Sequence, residues 1–149
     1  MRYLKRNLEK LNSLLQLNHE MKTIYEMSSH IALGAELEAL LKRYSFQRSE
    51  FSNDLKAQIL DMGGVPSIQD RLSSVNNQFL DVINRLVMDN EVDNILRHIC
   101  NVEQMSIDNY NNFLQELHIP VSVCKLLIGQ RDDFQNNISI IETKAVLEA

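Results

Sequence analysis

Gln47-Arg48-Ser49-Glu50-Phe51-Ser52-Asn53 returns 83 residues later (130 − 47 = 83) as Gln130-Arg131-Asp132-Asp133-Phe134-Gln135-Asn136. Gln, Arg, Phe and Asn are identical in the two copies, and Glu50 is answered by Asp133 as a carboxylate. In each copy the Gln and the acid are three residues apart, so on a helix they share one face. Phe51 and Phe134, four beyond each Gln, lie on that face as well. A polar pair on an otherwise apolar stripe, made twice, is the ground plan of a two-fold metal site between helices. The residue types are Gln and acid, however, where a di-iron site wants Glu and His.

Around these copies the apolar residues keep helical spacing. Upstream, Leu4, Leu8, Leu11, Leu15, Asn18 and Tyr25 form one stripe, which predicts a first helix over residues 2–31 with Asn18 as its polar member. Leu33-Gly34 is a short connection, so the next helix should run antiparallel. That second helix, about 35–62, carries Leu37, Leu40, Tyr44, Gln47, Phe51, Leu55 and Ile59 on its inner face. Gly63-Gly64 supplies a left-handed stop and Pro66 prevents an immediate restart. Ser67 with Asp70 resembles a capping box, so residues 68–88 are expected to form one or two short helices in a crossover. Asp89 or Asn90 caps the third long helix, about 91–117, with Val92, Ile95, Ile99, Val102, Ser106, Tyr110 and Phe113 inward. Pro120 opens the fourth, about 121–146, because a first-turn N–H has no partner to lose. Val123, Leu127, Gln130, Phe134, Ile138 and Ile141 are its core face. The expected fold is all-α: one domain over 1–149, an antiparallel four-helix bundle with one long crossover, the ferritin-like plan.

Composition agrees with a soluble globular chain. Of 149 residues, 44% are hydrophobic and 23% charged, and the net charge is −5. That balance provides no basic footprint for nucleic acid, so none is expected as a partner. Leucines 4–17 are interrupted by Asn7, Glu9, Lys10, Asn12, Ser13 and Gln16, an amphipathic pattern and not a signal peptide. No apolar run reaches the roughly 20 residues that cross a bilayer, so a membrane is not expected either. Cys100 and Cys124 lack CxxC spacing and are expected to be reduced thiols in apolar helical surroundings. A cytoplasmic location follows by default.

The repeat extends beyond the seven residues. Asn18 and Tyr25 are seven apart, as are Glu103 and Tyr110, at an offset of 85 (103 − 18 = 85). The first helix pair therefore resembles the second. Each half of a di-iron bundle supplies a Glu from one helix and a Glu-x-x-His from the next. By spacing, this chain offers Asn18, Gln47 and Glu50 from one half, and Glu103, Gln130 and Asp133 from the other. Both bridging positions are neutral amides, and none of the six is His. His19, His30, His98 and His118 lie elsewhere. Three arrangements follow. Gln47 and Gln130 hydrogen-bond across the bundle with Glu50, Glu103, Asp133 and the two tyrosines. Alternatively Glu50, Glu103 and Asp133 hold a metal, iron or another divalent cation. In the third, some of these side chains lie on the surface. Arg48 and Arg131 are placed at exposed ion pairs with nearby acids, which contribute little. No other cofactor is expected.

The order of Leu11-Asn12-Ser13-Leu14-Leu15, Tyr25, Gln47-Arg48-Ser49-Glu50-Phe51, Asp61-Met62-Gly63-Gly64-Val65-Pro66, Cys100-Asn101-Val102-Glu103, Tyr110 and Pro120 carries a resemblance over roughly residues 8–145. The chain resembles a bacterial family of ferritin-like bundles catalogued as a domain of unknown function, related to rubrerythrins and stress-induced bacterial proteins. The resemblance implies a cytoplasmic bundle, often assembled as a dimer or larger oligomer. In the wider superfamily, which includes ferroxidases, oxidases and peroxide reductases, the metal ligands would carry over only at Glu103. Asn18, Gln47 and Gln130 depart from Glu, and Glu50 and Asp133 depart from His. The favoured expectation is a non-catalytic interaction or stress-associated protein with a degenerate di-iron site, forming a homo-oligomer, a dimer in the simplest case. The alternative is a divergent metal-binding oxidoreductase or metal store. A ligand-binding cavity between helices is a third expectation, which no residue singles out. The sequence does not specify a protein partner.

Overall fold

The computed structural model describes the chain path over residues 2–148 and the side chains up to Thr143. Met1 and Ala149 of the expected domain lie outside the described residues. The described chain is all-α. Five helices follow in order: α1 (Arg2–Ile31), α2 (Ala35–Asp61), α3 (Ser74–Met88), α4 (Val92–Leu114) and α5 (Val121–Glu148). The long helices pack chiefly as α1 with α2 and α4 with α5, while α3 lies against α1 and α4. The Asn18 side chain and the Lys22 carbonyl on α1 accept from Arg48 and Ser45 on α2 in reversed order, so these helices run antiparallel. Among the described residues no helix is long and apolar enough to cross a membrane.

The stops follow the sequence. Gly63 adopts φ +81°, the left-handed conformation expected after α2. Gly64 has a different role: a Cβ there would come within 2.6 Å of the Leu8 side chain, so the missing side chain lets the turn pack against α1. The Leu33-Gly34 link is as short as expected, with Gly34 at φ +144°.

The crossover departs from expectation. Residues 64–73 are non-helical, with a bend at Asp70 and Arg71, and a single helix begins at Ser74, where Ser73 accepts from the Asn76 N–H. This irregular stretch finds its backbone partners on α1. Asn12 donates to Val65 O and accepts from Ser67 N–H; Gln16 does the same with Gln69. Buried Glu20 accepts from Ser73 N–H. Residues 12, 16 and 20 are spaced by four and so share one helix edge. That edge satisfies the crossover's polar backbone where a helix would have satisfied its own. Asp70 meets His19 at 3.2 Å. The third long helix also starts later than expected, its cap being Glu91, and it ends at Leu114, since residues 115–118 form a turn that places His118 at φ +59°.

The core falls into two apolar clusters. One gathers Leu11, Leu15, Phe51, Leu55, Ile59, Tyr110, Phe113, Leu127 and Phe134. The other gathers Met21, Ile24, Tyr25, Tyr44, Ile83, Val87, Ile95, Ile99 and Ile141. Most stripe residues read from the sequence are in one or the other, but Leu4 and Val92, at the helix ends, are exposed. A polar layer lies between the clusters.

Candidate functional site

The layer is built by side chains from four helices. Asn18, Glu103, Ser106 and Gln130 are all buried, as expected for inward stripe positions. So are Tyr25 and Tyr110. The remaining residues are placed differently. Glu50 and Asp133 are exposed, and Gln47 is half-buried. The cation beside them, Arg48, is the side chain that enters, with 0% of its surface exposed. Successive residues on a helix turn by about 100°. The inward face of α2 is Tyr44, Arg48, Phe51, Leu55 and Ile59, and Glu50 falls well off it.

Arg48 organises the layer. Its Nη2 donates to Glu103 Oε2, and to Ser106 Oγ at 2.9 Å. Its Nη1 donates to Asn18 Oδ1 at 3.2 Å. The guanidinium carbon lies 4.1 Å from the centre of the Phe134 ring, a cation–π arrangement. Both charged side chains are fully buried. A buried charge costs several kcal/mol unless it is paired and its remaining hydrogen-bonding capacity is used, and here it largely is. Glu103 Oε1 accepts from Asn137 Nδ2 at 3.2 Å, and the same amide donates to Gln47 Oε1 at 2.8 Å. Asn18 Nδ2 donates to Tyr110 Oη at 2.8 Å, and Tyr110 donates to Gln130 Oε1. Gln130 Nε2 closes the chain on Phe51 O. Of the expected cross-bundle network, Gln47, Gln130, Glu103 and Tyr110 take part, joined by Asn137, whereas among the described residues Glu50, Asp133 and Tyr25 make no hydrogen bond in it.

The environment keeps the tyrosines protonated. Burial pushes the Tyr25 hydroxyl well above its usual 10, and the Glu103 charge pushes it further, against the opposing pull of Arg48. Burial likewise raises Tyr110 strongly. Tyr44, whose ring lies 5.7 Å from that of Tyr25, is pushed up to about 12, again chiefly by burial. Tyr25 Oη and Arg48 Nε are buried, and among the described residues neither has a hydrogen-bond partner. Both cysteines are free and half-buried, and burial pushes the Cys100 thiol up, away from the reactive thiolate.

A metal centre does not fit these residues. Glu50, Glu103 and Asp133 are not brought together: Glu103 is in the middle of the core, and the other two face outward. Among the described residues no group of three or more His, Cys, Asp or Glu side chains is arranged to hold a metal ion. The layer's donor set is one carboxylate whose two oxygens are already engaged, plus neutral amides and hydroxyls. It also contains a fixed cation. The guanidinium sits directly on Glu103, so its charge cancels most of the attraction that this carboxylate would otherwise offer a divalent ion.

Arg48 departs from the surface ion pair expected of a charged residue at this position. A signal was present. Ser45, Ser49 and Ser52 flank it at −3, +1 and +4, a small-residue surround that lets α1 approach closely. Ser45 Oγ donates to Lys22 O at 3.0 Å, and Ser52 Oγ donates to Arg48 O at 2.9 Å.

Residues 6–116 match the model of a protein family described as "Domain of unknown function (DUF2383)". The chain belongs to this family. No curated protein matches it. The matched range ends just beyond α4, so α5, which supplies Gln130, Phe134 and Asn137 to the layer, lies outside it.

Proposed function

We propose that this chain is a ferritin-like bundle, of the rubrerythrin-related kind, in which a buried side-chain ion pair stands where a metal-site layer would be, and that it acts as a non-catalytic interaction or stress-associated protein of the cytoplasm. Self-association as a homo-oligomer is part of this reading. The observation that carries it is the Arg48 guanidinium on Glu103 at the centre of the helices. In that position a side-chain cation does the neutralising that bound cations do between carboxylate-bearing helices. The paired helices, the crossover and the repeated inward sets support the ferritin-like plan. Among the described residues the central carboxylate has both oxygens engaged and burial keeps the tyrosines protonated, which supports a role for the surface.

The test is metal content by plasma mass spectrometry after purification without chelator, with and without added Fe(II), alongside an iron-oxidation assay. No stoichiometric metal and no acceleration of oxidation are expected. Stoichiometric metal lost in Glu103→Ala would overturn this reading in favour of a divergent metal-binding oxidoreductase or metal store.

A further inference from the structure

The two ends of the bundle differ in shape and charge. At one end the α4–α5 turn projects Leu117 and Val121, 71% and 70% exposed, with His118 and Pro120 bending the chain between them. Tyr3 and Leu4 on the first turn of α1 add exposed apolar surface beside it, and the Tyr3 ring packs on His118. The charges around this knob are Arg2, Lys5, Arg6 and Lys10 against Glu9 and Glu116; Glu116 engages Arg6 at 2.9 Å and Lys10 at 3.9 Å, which leaves a net basic rim carried by Arg2 and Lys5.

At the opposite end, where α1 passes into α2 and α3 into α4, a groove of about 730 Å³ opens. Its walls include Leu33, Leu37, Leu40, Val92 and Leu96, with Leu33 61% exposed. Acidic residues crowd its margin: Glu36 in the wall, Glu38 nearby, and Asp89, Glu91 and Asp93 around the α3–α4 turn. Lys42 is held by Glu38 at 2.7 Å, and Arg43 is the basic residue of the lining.

We propose that the basic knob of one copy of this chain docks in the acidic groove of a second copy, head to tail; the inference rests on the self-association reading above and names its surfaces. Apolar patches of this kind mark contact sites, and the charges select which ends meet. A symmetric contact through either end would bring like charge onto like charge, which costs several kcal/mol at an interface. The heterologous contact puts Leu117 and Val121 against the groove leucines, with Arg2 and Lys5 facing Glu36 and Glu91. Such a contact does not close on two copies; it builds short chains or a ring.

The experiment is sedimentation of the full chain across a concentration series, at ~0.05 M and ~0.5 M salt, where the screening length differs about threefold. The variants are Arg2→Glu/Lys5→Glu, Glu36→Lys/Glu91→Lys, and an equimolar mixture of the two, each checked for folding by circular dichroism. The expected result is a wild-type mass that climbs past dimer with concentration and falls with salt. Each charge-reversed variant alone should remain monomeric, and the mixture should assemble again because both contacts are once more between opposite charges. A dimer broken by only one of the reversals, or by neither, overturns the head-to-tail contact and leaves self-association intact. Monomer for the wild type under every condition overturns both. Binding of the monomer to phosphatidylserine vesicles, lost in Arg2→Glu/Lys5→Glu, would then assign the basic knob to an anionic lipid surface.

Discussion

The same seven-residue phrase lies on α2 and on α5, and the two helices turn it differently toward the core. The phenylalanines agree: Phe51 and Phe134 are both buried, with ring centres 5.4 Å apart, edge to face. The arginines do not. Arg48 is sealed in the centre, whereas Arg131 is partly exposed and bonds Asn111 at 3.0 Å. The glutamines exchange roles as well, Gln130 being buried and Gln47 half-buried. The surroundings decide. Where α2 has Ser45, Ser49 and Ser52 about its arginine, α5 has Ile128, Asp132 and Gln135. Serines pack tightly and satisfy themselves on backbone carbonyls. Asp132 and Gln135 require water, and both are exposed, so their face of α5 turns outward and takes Arg131 with it. Identical residues thus became a core ion pair in one copy and a surface contact in the other.

The largest effect should come from breaking the buried pair. Glu103→Gln leaves the guanidinium without its counter-charge, and removing one partner of a buried pair costs about 3–5 kcal/mol. The urea midpoint should fall accordingly. The double variant Arg48→Met/Glu103→Leu should recover most of that loss, because an apolar replacement of both partners removes two desolvation costs together. If Glu103→Gln moved the midpoint by less than ~1 kcal/mol, the pair would be behaving like the Arg131 contact, and the contrast between the two copies would collapse.

The second test compares the tyrosines that the repeat makes equivalent. Tyr110 accepts from Asn18 and donates to Gln130, whereas Tyr25 Oη has no partner among the described residues. Tyr110→Phe should cost about 1–3 kcal/mol, since two buried amides lose a partner. Tyr25→Phe should change stability little or raise it slightly. The two tyrosines share a pH signature. Their folded values lie above the unfolded value of about 10. Above pH 10 the unfolded state therefore holds fewer protons than the folded one, and stability falls as pH rises. Their contribution is fully present below pH 10. A shallower alkaline slope in Tyr25→Phe would sharpen the comparison; an unchanged slope in both single variants would refute the assignment.

Much of this was legible in the sequence because it depends on local, periodic features. Helical spacing located the long helices, Gly63 gave the left-handed stop, and the 85-residue offset found Asn18, Tyr25, Glu103 and Tyr110, all of them buried. The failures share one cause, a side chain whose role is set by a neighbouring element. Arg48 goes inward because α1 approaches the serines and Glu103 waits on α4. Glu50 was expected inside because it is three residues from Gln47, but that inference holds only if Gln47 faces the centre. The Ser67 cap failed similarly. Asn12, Gln16 and Glu20 offer the crossover backbone an edge to bond, and a helix at Ser67 would forgo it.

The smallest expected effect completes the comparison. Arg131 is the sequence counterpart of Arg48, yet its guanidinium is partly exposed and meets Asn111 and, at 3.5 Å, the adjacent Asp132. Contacts of that type contribute under about 1 kcal/mol and weaken with salt. Arg131→Met should therefore shift the urea midpoint barely, and by still less at high ionic strength. Arg48→Met should cost several times more at either salt concentration, because a buried pair is poorly screened. Equal losses for the two substitutions would mean that α5 also directs its arginine into the layer. The opposed rotations of α2 and α5 about their phenylalanines would then be wrong, and with them the assignment of a single guanidinium to the centre of the bundle.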